Sequence, residues 1–114
     1  MGKYCEELKK LLEILKLNKE IYISGRENIY HFREYKDNKL FFYIPNRSNS
    51  EKPYSKSITV EQFCELLRKL LEKGRLITAD FPFKDCRVSA FYGFVNLLYP
   101  NQYIKERGKI VKNI

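Results

Sequence analysis

The chain has 114 residues, with 22 Lys and Arg against 14 Asp and Glu, and a formal net charge of +8. Its hydrophobic share is 44%, including 9 Tyr and 8 Phe, which is enough for a packed interior and excludes a disordered basic tail. No apolar run approaches the roughly 18 residues that cross a bilayer, which excludes a membrane-spanning helix.

The opening segment, Lys3 to Lys16, places Tyr4, Leu8, Leu11, Leu12 and Leu15 at spacings of three and four. Lys and Glu fill the opposite face, so the pattern predicts an amphipathic helix, with Asn18 suited to its end. From residue 20 the period shortens. Residues 20–24 predict a short strand, 25–27 a turn, and 28–35 a second strand rich in Tyr, Phe and Ile. Asp37-Asn38, between Lys36 and Lys39, predicts a two-residue hairpin loop, and Leu40 to Ile44 a third strand that Pro45 ends. The expected product is a three-stranded antiparallel meander with the first helix packed on one face, because so small a sheet needs that cover.

Residues 46–57 lack periodicity and are rich in turn formers, so they are expected to form a long basic loop. After them, Thr59 and Gln62 have capping-box spacing, with Ile58 and Phe63 as the flanking hydrophobic staple. Val60, Phe63, Cys64, Leu67, Leu70 and Leu71 make the stripe of a helix over 60–73, which Gly74 ends. Arg75 to Ile77 is short and extended, and Thr78 to Phe81 predicts a single helical turn before Pro82. Asp85 is placed to cap a helix from Cys86 to Leu98, stopped by Pro100. Tyr103–Lys105 and Lys109–Val111 predict a terminal β-hairpin around Arg107-Gly108. The expected fold class is α+β in one compact domain: a helix and β-meander lobe over 1–45, a basic loop over 46–57, and a helical lobe with a terminal hairpin over 58–114.

Cys5, Cys64 and Cys86 are odd in number and form no Cys-x-x-Cys pair, and His31 is the sole imidazole. A tetrahedral zinc site needs four ligands and a disulfide framework an even count, so all three are expected as small reduced core residues, with no metal and no cofactor. Met1 to Glu6 lack the apolar core of a signal peptide, and Glu6 breaks the myristoylation pattern, so a cytoplasmic location is expected.

The charge is uneven. Residues 1–16 carry +1, 17–57 carry +3, 58–83 are neutral and 84–114 carry +4. The excess therefore sits in the middle strands and loop and at the C-terminus, while the 60–73 helix is balanced. An excess of this kind constrains partners and not fold, and nucleic acid is the partner it favours.

From Ile58 onward the order is long helix, Gly74, extended piece, short helix, longer helix and hairpin. With Gly74-Arg75-Leu76-Ile77-Thr78 entering the turn and Tyr103-Ile104-Lys105-Glu106-Arg107-Gly108-Lys109 as a wing, the C-terminal half resembles a winged helix-turn-helix DNA-binding domain. The resemblance implies DNA in preference to RNA, with the 86–98 helix entering the major groove. It implies Arg87, Ser89 and Asn96 at base edges, and Lys105, Arg107, Lys109 and Lys112 on phosphates. One departure stands out: the 86–98 helix is apolar nearly all round, which fits a buried helix or an interface better than a reading helix.

Two enzyme readings are weaker. The layout of helix, meander and helix is similar to that of small mRNA-cleaving toxins, for which His31 is the one candidate, but the flanking Gly-Ser of that motif is absent. Glu34-Tyr35-Lys36 matches the Glu-x-Lys of metal-dependent nucleases, but no Asp precedes Asp37 to share a divalent ion. The expectation is a non-catalytic nucleic-acid-binding protein of bacterial or phage type, a regulator or an accessory domain of a nucleic-acid-processing system. Arg47, Lys52 and Lys56 on the loop and the wing cations would contact phosphates, with Tyr54 available for stacking. The alternative is a protein-interaction module, such as a phage-encoded inhibitor of a host nucleic-acid enzyme, whose interface is the apolar 86–98 helix.

Overall fold

The structure is a computed structural model and describes residues 6–17, 20–22, 29–43, 55–85, 87–106 and 108–113. It is α+β, with the order α1 (Glu6–Leu17), β1 (Glu20–Tyr22), β2 (Ile29–Lys36), β3 (Lys39–Tyr43), β4 (Ser55–Thr59), α2 (Val60–Lys73), β5 (Arg75–Leu76), α3 (Arg87–Leu98), β6 (Tyr103–Glu106) and β7 (Lys109–Lys112). A single 3-10 turn, Thr78–Asp80, lies between β5 and α3. No helix among the described residues is long and apolar enough to cross a membrane.

The first sheet has the strand order β1-β2-β3-β4, all antiparallel. Its β2–β3 hairpin turns on Asp37 and Asn38, both with positive φ, as a two-residue loop with the sheet's twist requires. The register slips between Phe32 and Glu34, so Arg33 and Glu34 are both exposed while Tyr35 turns back toward the core. The expected antiparallel meander is β1-β2-β3, and a fourth strand extends it. Residues 55–57 were expected at the end of a loop, but Ser55, Lys56 and Ser57 pair with Tyr43, Phe42 and Phe41. Composition alone hides this strand, because partner strand β3 supplies the pairing that Ser and Lys do not favour by themselves.

α2 begins and ends where its caps lie. Thr59 Oγ1 accepts from the Gln62 N–H at 3.0 Å, and Gln62 Oε1 accepts from the Thr59 N–H at 3.1 Å. Gly74, at φ 77°, stops it in the left-handed region, donating its N–H to the Leu70 carbonyl. The buried stripe is Val60, Phe63, Leu66, Leu67 and Leu70, so Leu66 replaces Leu71, which is 45% exposed. Glu65–Lys69 and Arg68–Glu72 pairs line the outer face, as a neutral solvated helix should have. β5 then pairs with β7, giving a second sheet of order β5-β7-β6.

α3 lies at the centre. Ala90, Phe91, Tyr92, Gly93, Phe94 and Val95 are all buried, and the helix contacts α1, β1, β4 and β6. Its all-round apolar character thus has a use inside the chain. Phe94 meets Phe42 of β3 and Phe63 of α2 edge to face, and Phe91 meets Phe63 and Phe81. The Tyr92 hydroxyl donates to the Tyr103 carbonyl at 3.1 Å, so the polar atom it brings inward is satisfied. Leu8, Leu11 and Leu15 of α1 belong to the same core cluster. The cysteine expectation is corrected at one position: Cys64 is disulfide-bonded.

Candidate functional site

The segment that enters α3 carries the densest polar network among the described residues. The first N–H groups of a helix have no partner within it, and Asp85 supplies one. Its Oδ1 accepts from the Arg87 backbone N–H at 2.9 Å and from Arg87 Nε at 3.0 Å. Its Oδ2 accepts from Lys56 Nζ at 3.0 Å. The Arg87 guanidinium also lies 4.9 Å above the Phe83 ring, where the ring's negative face attracts it.

Lys56 reaches this point because of strand register. It stands opposite Phe42 in β4 and shares a strand face with buried Ile58. Its aliphatic stem can therefore run along the core edge while the ammonium reaches Asp85. Burial pushes the Asp85 carboxyl upward, but the hydrogen bonds from Arg87 and Lys56 and the Arg87 charge outweigh it and hold the pKa well below 3.8.

Above about pH 5 both folded and unfolded Asp85 are ionised, and its full contribution is present. Below that the unfolded chain binds a proton first, and the contribution drains away as pH approaches the depressed folded value. Asp85→Ala is expected to cost about 1–2 kcal/mol at pH 7, trimmed for solvent because the side chain is 32% exposed. Urea titrations should show that difference constant above pH 5 and shrinking from about pH 4 downward. A difference that grows in acid would contradict the ion-pair account.

Next to this network is a cleft of about 250 Å³ lined by Thr78, Phe81, Phe83, Lys84, Asp85, Val88, Ser89, Lys105 and Gly108. Its lining is apolar at Phe81, Phe83 and Val88, and it carries Lys84, Lys105 and two hydroxyls. The 3-10 turn and the β6–β7 hairpin are held together here: the Thr78 hydroxyl donates to the Gly108 carbonyl at 2.9 Å. Gly108 has φ 70°, and a Cβ there would stand 2.7 Å from Thr78 Oγ1, so the close approach needs glycine. Lys84 Nζ donates to the Thr78 carbonyl at 3.3 Å, and the lysine is otherwise exposed.

The structure thus brings together Lys56, Arg87, Ser89 and Lys105, which the sequence placed on three different elements. Arg47, Lys52, Tyr54 and Arg107 lie outside the described residues. Lys109 and Lys112 are exposed on β7. Asn96 accepts from the Asn101 N–H at 3.1 Å and so closes the corner after α3, where Asn101 takes φ 63°. Arg87 likewise serves its own chain, through Asp85 and Phe83. Sequence reasoning missed Lys84 and the second role of Asp85. Its capping position was visible, but its contact with Lys56, 29 residues away, depends on β4.

Of the residues considered for catalysis, His31 stacks on Tyr43 with ring centroids 5.1 Å apart. Glu34 and Lys36 are exposed on β2, Glu34 opposite Phe41 and Lys36 opposite Lys39. Among the described residues, no three His, Cys, Asp or Glu side chains are grouped so as to hold a metal ion. Comparison with protein-family models, curated proteins and solved structures gives no match to this chain.

Proposed function

We propose that this chain binds nucleic acid through its phosphates and performs no chemistry on it. The contact face is the N-terminal end of α3 with the β6–β7 hairpin beside it. One observation carries the proposal: Lys84 and Lys105 line a single cleft whose carboxylate among the described lining residues, Asp85, is held by both Lys56 and Arg87, which leaves the surroundings net positive. Lys109 and Lys112 add further charge on the two faces of β7. Such a surface attracts a polyanion.

A winged-helix shape for residues 58–114 belongs to this reading. It is supported by the order α2, β5, 3-10 turn, α3 and β6–β7 hairpin, with β5 pairing on β7. The burial of α3 and the internal use of Arg87 and Asn96 favour contact with the backbone over reading of base edges. A cytoplasmic location is also part of the reading. The Cys64 disulfide stands against it, and alkylating thiols at the moment of lysis decides between them.

A salt series on random duplex tests the proposal. With about five phosphates neutralised, log affinity is expected to fall against log salt with a slope of about −4 to −5. Absence of binding at low salt would sink it.

A further inference from the structure

We infer that the cleft beside the β6–β7 hairpin receives one unstacked base of a single-stranded nucleic acid, while Lys84 and Lys105 hold the phosphates that flank it. This rests on the phosphate-binding reading above and deepens it. The cleft, at about 250 Å³, is smaller than the roughly 300 Å³ at which pockets begin to enclose a drug-sized ligand, so it takes one ring system and leaves the rest outside.

The lining matches such a ring. Phe81, Phe83 and Val88 are the apolar part of the lining, and its polar groups are the Ser89 hydroxyl and the acceptor lone pair left on the Thr78 oxygen, whose proton goes to the Gly108 carbonyl. A base has this division, with an apolar face and a hydrogen-bonding edge, whereas an aliphatic side chain has no use for the polar rim. The rim cations are Lys84 and Lys105, and the Asp85 carboxylate beside them is neutralised by Arg87 and Lys56. An occupant carrying negative charge on both sides of its ring is therefore favoured.

The consequence distinguishes this from simple charge attraction. A duplex presents phosphates at higher density than a single strand, so electrostatics alone gives the duplex the tighter binding and the steeper salt slope. A base-accepting cleft reverses the order.

Fluorescence anisotropy at matched salt would compare labelled oligothymidylate, a duplex of the same length, and an abasic strand with the same phosphates. The base-bearing strand is expected to bind tightest, and the abasic strand about tenfold or more weaker. Ser89→Trp, which fills the cleft, is expected to bind the two strands equally. The abasic comparison uses the unmodified protein, so it stands even if that variant fails to fold.

Equal binding of base-bearing and abasic strands, with duplex binding retained, overturns the inference and leaves the phosphate reading standing. No binding to any of the three overturns both. Displacement of oligothymidylate by an acidic peptide carrying one Phe, seen with the unmodified protein and lost in Ser89→Trp, would assign the cleft to a protein partner instead.

Discussion

Phe94→Ala is expected to lower stability by about 3–5 kcal/mol, a large part of the roughly 5–15 kcal/mol typical of a whole domain. Phe94 has no solvent exposure and stands where three elements meet, edge to face with Phe42 of the first sheet and Phe63 of α2. Truncation leaves a cavity bordered by two rings that are held in place by further aromatic neighbours, Tyr30 and Phe91. Such a site cannot collapse easily, which puts the cost toward the upper end. Urea denaturation followed by circular dichroism measures it. The result bears on function as well as stability. A helix that offered its faces to a DNA groove would tolerate the change at a cost below about 1 kcal/mol, as exposed positions do.

The second large effect concerns binding. Replacing Lys84, Lys105 and Lys109 together by Glu is expected to weaken duplex binding on the order of 100-fold near physiological salt. It should also flatten the salt slope by about 3, one for each phosphate no longer neutralised. Lys84 and Lys109 are exposed and Lys105 is half-buried beside the cleft, so the unfolding midpoint should change far less than the affinity. Retained binding with an unchanged slope would move the contact face elsewhere. A stoichiometric protein partner that survives both high salt and this triple reversal would replace the nucleic-acid reading with that of an interaction module.

Much of the local structure was legible in the sequence. The boundaries of α2 follow from Thr59, Gln62 and Gly74, because capping is settled within a few residues of chain. The β2–β3 turn follows from Asp37-Asn38, since few residue pairs accept positive φ at both positions. The extent of α3, the turn at Thr78–Asp80 and the terminal hairpin were equally visible. The stripe of α2 was less so. Leu66 is buried in place of Leu71, a choice between the two edges of an apolar stripe that only the packing partner decides.

The candidate site was legible in part. Lys105, Ser89, Arg87 and Lys56 were singled out by type and charge, but as members of a loop, a reading helix and a wing with no stated geometry between them. Lys84 drew no notice, because one lysine before a helix carries no periodic signal. Asp85 was recognised as a cap and not as the group joining Lys56 to Arg87.

The net charge of +8 shows the same division. The sequence by itself determined that the excess is uneven, and it determined α2, the hairpins and the apolar character of α3, because each depends on residues a few positions apart. Only the tertiary structure decided that residues 55–59 form a strand and that β5 joins β7. It alone set α3 inside the core, brought Lys56 of β4 to Asp85, and placed Lys84 and Lys105 on one cleft. These depend on pairings and contacts across tens of residues, where spacing in the chain carries no information about distance in space.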